Sequence, residues 1–367
     1  MTLSDSFATL RPHIDEATAS SLARLLVRAG ASSRSEEFSE AVLASVRGGK
    51  RFRALMAHIG YSLGAATPLE DVSLPHLGAA LELYQASALV HDDIIDKADE
   101  RRGIPTPHRS LANHHASRSW IGSSRDFGAH AAILVGDFLF SAATAAADEQ
   151  ALRLDEERAR AFARRFADMH AEVALGQYLD IAAEQTPLDP ERSDVLNVSD
   201  ALEVALHKSA HYSVVHPAIL GAICGASTLD DGETLARSLE EILTPWGLAF
   251  QLRDDDLGVF GDPAVTGKPA GDDLREGKRT VLLALTWEAS SPAERSALTE
   301  VLGVAEASPE RLSAATRIVE ANGRAPHEAE IARLVADGHA ALEASSFDDD
   351  ARAMLHELCA ILTARRA

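Results

Sequence analysis

Residues Leu77–Asp96 constrain this chain more than any other segment. LGAALELYQASALV is apolar around nearly its whole circumference, and the segment then closes on His91-Asp92-Asp93-Ile94-Ile95-Asp96. A helix that is apolar all round belongs at the centre of a helical array. Carboxylates that end such a helix must meet something cationic. Asp92 and Asp96 stand four residues apart and share a helical face with Asp93 alongside, so their charges repel. A hard divalent cation removes the conflict: magnesium takes carboxylate oxygens and keeps coordination positions open for phosphate oxygens. For this cluster alone, a solvated acidic helix end with nothing bound is the plain alternative.

Helical periodicity continues along the chain. Phe38, Val42, Leu43 and Val46 form an apolar stripe that stops at Gly48-Gly49, a helix-end signal. AHAAILVGDFLFSAATAAA, starting at Ala129, reads as a second nearly all-apolar helix. Further helices are expected at about 157–185, 199–226, 233–260, 279–304, 308–321, 327–345 and 349–366, divided by short Pro, Gly, Asp or Ser breaks. The polar stretch Arg101–Asp126, with Gly103, Pro105, Pro107 and Gly122, reads as a long loop with solvated histidines. Alternating strand patterns, internal repeats and low-complexity linkers are absent from the sequence. The expectation is an all-α, single-domain bundle of ten or more helices spanning residues 1–367.

Composition narrows the function. Aromatic residues make up 5% while Ala, Leu, Glu and Arg dominate, which favours helix. A formal net charge of -21 excludes general attraction to nucleic acid or to anionic membrane. It also repels a diphosphate, so phosphate chemistry here requires local basic groups or metal ions. Charge interrupts the apolar stretches before the ~18 residues a span needs, so no membrane span is expected. The N-terminus lacks a cationic start followed by an apolar core, so no secretory signal is read. Cys224 and Cys359 lie in apolar surroundings outside any C-x-x-C pair, as buried thiols of a reduced, cytoplasmic protein would.

A second acidic helix end strengthens the metal reading. Phe250-Gln251-Leu252-Arg253-Asp254-Asp255-Asp256 follows the apolar run TPWGLAFQL. Two such ends can face one another across a helical bundle and hold metals between them, an arrangement suited to a diphosphate leaving group. Basic residues flank both clusters: the loop Gly48-Gly49-Lys50-Arg51-Phe52-Arg53, the pair Arg101-Arg102, and Lys208, Lys268 and Lys278. Guanidinium forks and ammonium groups bind phosphate well. Two anion sites are expected, one reached through metal and one formed directly by Lys and Arg.

From about Gly48 to Lys278 these residues resemble the trans-isoprenyl diphosphate synthase (polyprenyl synthetase) family, most like geranylgeranyl diphosphate synthases. Gly48–Arg53 resembles its G-G-K-x-x-R motif, and Leu89–Asp96 with Arg101-Arg102-Gly103 its first aspartate-rich motif. Gly136-Asp137, Gly176-Gln177 with Asp180, and His207-Lys208-Ser209 resemble further family segments in order. Phe250–Asp255, Phe260-Gly261-Asp262-Pro263 and Thr266-Gly267-Lys268 resemble the second aspartate-rich region. The resemblance implies the isoprenoid synthase fold, with a central apolar cavity, and Mg2+ as cofactor. Asp92, Asp96 and Asp254 would bind the metal, supported by Asp93 and Asp255. Arg101, Lys208 and Lys268 would hold the allylic diphosphate; Lys50, Arg53, Gln85 and Arg102 would hold isopentenyl diphosphate. Ser209 and Gln251 would direct oxygen atoms at the carbocation. One departure stands out: Gly258 occupies the position four after Asp254 where another Asp is expected.

The implied reaction elongates dimethylallyl, geranyl or farnesyl diphosphate with isopentenyl diphosphate, and a homodimer is implied with it. Chain length would be set before Asp92. Ser87 and Ala88, five and four residues earlier, are small, so the tunnel would continue to Tyr84, or to Phe138 and Phe140 on the next helix. That predicts a C20 product, geranylgeranyl diphosphate, with longer polyprenyl diphosphates as the alternative. A class I terpene cyclase needs no second anion site, and a non-catalytic prenyltransferase subunit would lose its acidic motifs, so both readings are weaker.

Overall fold

Several helices start where apolar periodicity coincides with a capping residue. The computed structural model describes residues 2–261, 271–304 and 306–363. In chain order the helices are α1 (Leu3–Arg28), α2 (Glu36–Ser45), α3 (Phe52–Ala65), α4 (Pro75–Ile95), α5 (Pro107–Ser117), α6 (Ser124–Ala151) and α7 (Glu156–Gln185). Then follow α8 (Val198–Ala205), a π-helix (Leu206–Val215), α9 (His216–Gly225) and α10 (Leu229–Phe260). The rest are α11 (Asp272–Glu276), α12 (Val281–Ala289), α13 (Pro292–Thr299), α14 (Pro309–Ile318), a π turn (Val319–Gly323), α15 (Arg324–Ala344) and α16 (Asp349–Thr363). Asn197, Thr280, Ser291 and Ser308 cap their helices through side-chain oxygens that accept from the first turn.

The chain divides into two compact units, Met1–Phe166 with Pro217–Leu235, and Ala167–His216 with Ala236–Ala367. In the first, α4 lies along α6 with α1, α3 and α5 around the pair. Leu77, Leu81 and Leu83 of α4 and Val135 and Leu139 of α6 are fully buried there, each such side chain contributing roughly 1.5–3 kcal/mol. Glycines at α3 and α9 let two backbones touch: a Cβ on Gly60 would lie 1.9 Å from the Ala218 carbonyl oxygen, and one on Gly221 1.9 Å from that of Ala57. In the second unit, Trp287, Leu282, Leu298 and Val319 build one core cluster. Ala249, Leu252, Ala284 and Ile331 build another.

Some sequence expectations are corrected. The stretch Arg101–Asp126 is not one long loop: a two-residue hairpin (β1 Glu100–Arg101, β2 Ile104–Pro105) leads into α5. Arg102 and Gly103 both have positive φ, the backbone such a tight turn demands. His115 is buried against Trp120 and Phe127 and not solvated. The helix expected over 279–304 breaks at Ser290-Ser291-Pro292, where Ser291 caps a new start. α6 is long and apolar enough, by length and composition, to cross a membrane, because Asp137 alone interrupts its apolar middle. It packs lengthwise on α4 and α5.

Candidate active site

Asp92, Asp93 and Asp96 emerge at the C-terminal end of α4, the negative end of the helix dipole, where carboxylates are least welcome. Arg101 of the hairpin answers them. Its guanidinium donates to Asp93 Oδ1 from Nε at 2.7 Å and lies 3.4 Å from Asp92 Oδ2. Burial opposes the Arg101 charge, but the bond to Asp93 and the charges of Asp93, Asp92 and Asp96 hold its pKa above the ordinary arginine value. Asp93 is buried, whereas Asp92 and Asp96 are half-buried. Hard oxygen donors gathered at a negative helix end fit a divalent cation such as magnesium. His91 turns the other way, onto α6, and Gly136 makes room for it: a Cβ there would lie 2.2 Å from His91 Nε2.

The glycine loop before α3 separates one buried cation from two more exposed ones. Arg51, with φ 53, is buried, bonds to Asp15, and donates to Glu82 and to the Val46 carbonyl. It is a clamp within the fold. Lys50 is exposed and Arg53 half-buried, and Arg102 closes over the loop, its Nη1 3.1 Å from where a Gly49 Cβ would stand. Gly49, with φ 99, permits that approach. Burial, then the charges of Arg101, Arg51 and Arg53, press the Arg102 pKa below its ordinary value. Cations crowded this way fit an anion. A cavity of about 420 Å³ opens beside them, lined by Ser45, Ala86, Val90, Asp93, Arg101 and Arg102. Gln85 is half-buried on α4.

The positions before Asp92 point in different directions. The Ser87 hydroxyl donates to the Gly136 carbonyl at 2.8 Å and is buried in the α4–α6 contact. Ala88 is half-buried and, four residues from Asp92 and from Tyr84, shares their helical face. Tyr84 meets Phe140 edge-on at 5.9 Å, while Phe138 meets Phe38 of α2 at 5.8 Å. Phe138 and Phe140 therefore do not serve one floor, because residues two apart on a helix face opposite sides.

In the second unit, α10 carries Asp254, Asp255 and Asp256 and runs on for another turn to Phe260, so this cluster lies within the helix and not at the end that the sequence suggested. Asp255 is buried, and burial followed by the charge of Asp273 pushes its pKa up to about 8, with the Gln251 amide opposing at 2.8 Å. Asp256 faces elsewhere, with Arg324 at 3.7 Å. The position of Gly258 explains its departure from the family pattern. An ideal Cβ on Gly258 would lie 1.9 Å from Asp273 Oδ2, so the carboxylate of α11 occupies the space a side chain at 258 would need. Lys278 Nζ lies 3.7 Å from Asp273 Oδ1. Sequence reasoning missed Asp273; the run Asp272-Asp273-Leu274-Arg275-Glu276-Gly277-Lys278, acidic then basic, was its signal. Carboxylates crowded until one holds a proton also fit a divalent cation, which replaces that proton.

Lys208 lies within the π-helix and pairs with Asp180 of α7. Gly176 lets the two backbones approach: a Cβ there would sit 2.4 Å from the Lys208 backbone nitrogen. Ser209 is half-buried beside it. Lys268, with Asp262, Pro263, Thr266 and Gly267, lies outside the described residues. Both cysteines are buried, burial pushing Cys224 to about 12 and Cys359 to about 11, so neither supplies a thiolate.

Comparison with known proteins places the chain. The polyprenyl synthetase family profile matches residues 35–319. The geranylfarnesyl diphosphate synthase of Aeropyrum pernix is 32% identical over 277 residues, 75% of this chain and 77% of that protein. The (2E,6E)-farnesyl diphosphate synthase of Mycobacterium bovis is 30% identical over 330 residues, 87% of this chain and 80% of that one. A crystal structure of geranylgeranyl pyrophosphate synthase from Corynebacterium glutamicum, complexed with isoprenyl diphosphate and magnesium, superimposes with a TM-score of 0.83 at 35% identity. It covers 96% of this chain and 99% of that one. The all-α fold thus coincides with these relatives, and the chain belongs to the polyprenyl synthetase family of trans-prenyltransferases, which elongate isoprenyl diphosphates.

Proposed function

We propose that this chain condenses isopentenyl diphosphate with dimethylallyl, geranyl or farnesyl diphosphate and delivers geranylgeranyl diphosphate, both units acting as one domain. The observation that carries the reading is the first unit's pairing of a carboxylate helix end with a separate cluster of cations at the Gly48-Gly49 loop. A cyclase has no use for the second anion site. Arg101, Lys208 and Lys268 hold the allylic diphosphate in this reading, while Lys50, Arg53, Gln85 and Arg102 hold isopentenyl diphosphate in line. Family enzymes use a divalent metal; magnesium is our choice, because every donor is a hard carboxylate oxygen. When bound, it supplies electrostatic stabilisation to the departing diphosphate. The allylic carbon–oxygen bond breaks with its electron pair leaving on the diphosphate, and the isopentenyl double bond forms the new carbon–carbon bond. A proton then passes to the departed diphosphate. Ser209 and Gln251 face the cation with oxygen; the Gln251 amide nitrogen is committed to Asp255.

A C20 product is supported by small Ala88 on the Asp92 face, followed one turn deeper by Tyr84 against Phe140. The relatives do not choose among lengths, since their names span farnesyl to geranylfarnesyl products. A cytoplasmic homodimer completes the reading, supported by the exposed apolar Ile133 and Leu134 on α6. The test is purified protein with labelled isopentenyl diphosphate, magnesium and each primer in turn. We expect elongation to a twenty-carbon chain; absence of elongation with every primer overturns the proposal.

A further inference from the structure

Away from the aspartate clusters, three imidazoles converge on one carboxylate. Glu172 of α7 accepts from His207 Nδ1 at 2.7 Å, from His211 Nδ1 at 2.6 Å and from His216 Nε2 at 2.5 Å. The π-helix is what makes this convergence possible. Its bonds run from residue i+5 back to i, as the His216 N–H to His211 carbonyl bond shows. In an α-helix His211 and His216, five apart, would point well away from each other; the wider turn stacks them. Glu172, His211 and His216 each offer a ligand atom, all within 4.8 Å of one another. His211 Nε2 has a further partner in Thr244 Oγ1 at 3.4 Å, and His170 stands beside His216.

We propose that Glu172, His211 and His216 form a binding site for an imidazole-preferring divalent cation of the zinc class, distinct from the oxygen-only aspartate clusters. Two imidazoles and a carboxylate are a zinc-type donor set that leaves a position for water. His207, donating to the carboxylate, is the kind of neighbour that orients a metal-ligating side chain. Zinc needs donors about 2.0–2.2 Å away, so the Glu–His contacts open and the imidazoles draw together by rotations of their side chains. Imidazole suits zinc and cobalt, whereas magnesium keeps to oxygen. The two kinds of site are therefore separable in one molecule.

The experiment uses the full chain, stripped with chelator and kept in excess magnesium to occupy carboxylate-only sites. Zinc is titrated calorimetrically, and cobalt by its visible absorption, which is stronger for a low-coordinate nitrogen-ligated ion. We expect stoichiometric zinc binding and a nitrogen-type cobalt spectrum. Both should be lost in His216→Gln with helical circular dichroism retained. His207→Gln should keep the spectrum and lose affinity by about 10–100-fold. No nitrogen-type spectrum in the wild-type chain, or an unchanged one in His216→Gln, overturns the site and leaves Glu172 as a hydrogen-bond hub alone. Should His216→Gln fail to fold, an unchanged zinc affinity in His207→Gln overturns it equally.

Discussion

At Gly258 a carboxylate from another helix, Asp273, takes the space that a side chain would need. The carboxylate expected at 258 is absent from the sequence, yet the space beside Gly258 is taken by Asp273 Oδ2. Restoring the family letter should therefore harm the enzyme. Gly258→Asp would press its Cβ into that carboxylate and add charge to a cluster in which Asp255 already has a raised pKa. We expect kcat/KM to fall by at least about tenfold, which corresponds to ~1.4 kcal/mol of lost transition-state stabilisation, together with weaker magnesium activation. Equal or higher kcat/KM in Gly258→Asp would show that Asp273 does not fill the role. The same scale separates Arg51 from Lys50 and Arg53. All three belong to one basic motif, but Arg51 is buried between Asp15, Glu82 and the Val46 carbonyl. Adjacent letters in a sequence carry no mark of which one turns inward, because a residue at φ 53 reverses the local direction of the chain.

At the scale of the element, α4 presents different chemistry on different faces. Tyr84, Ala88 and Asp92 run along one, while Ser87 and His91 turn toward Gly136 of α6. The chain-length argument therefore passes to Ala88. In Ala88→Phe the ring would project along the Asp92 face, and we expect products shortened by at least one isoprene unit, read by chromatography. Unchanged product length would remove Ala88 from the path. The helix itself was legible from its apolar run, and so was its acidic end. The π-helix was not: nothing in Leu206–Val215 distinguishes a widened turn from an ordinary one, since both show similar apolar spacing. The break at Ser290-Ser291-Pro292 was missed although a Ser-Pro helix start is visible there, because apolar periodicity resumes in phase after it.

For the whole molecule, a charge of -21 sets the electrostatic background, and buried histidines set the response to acid. His327 is fully buried, and neither ring nitrogen has a hydrogen-bond partner among the described residues. Burial, as the largest cause, lowers its pKa from 6.5 to about 4. The unfolded chain then binds a proton that the folded chain refuses, so stability from this group is present above the unfolded pKa and is lost as pH falls from about 6.5 toward 4. The slope approaches about 1.4 kcal/mol per pH unit within that window. In His327→Leu the drop in melting temperature between about pH 7 and pH 5 should be smaller than in the parent. Parallel pH profiles for the two proteins would refute this.

Sequence alone determined the all-helical class, the two aspartate clusters on apolar helices, and the basic residues that follow Gly48-Gly49. It could do so because helix periodicity and charge are local properties, readable within one or two turns. Only the tertiary structure decided which basic residue is a clamp, that Ser87 belongs to the α6 contact, and that Asp273 fills the space beside Gly258. These are contacts between segments distant in the chain, chosen by packing and burial rather than by spacing. The acidic helix end at Asp92–Asp96 belongs to both lists. Its repulsion was legible from the letters, and so was the nearby cation Arg101. The fold places that guanidinium on Asp93, where it balances the carboxylates of α4.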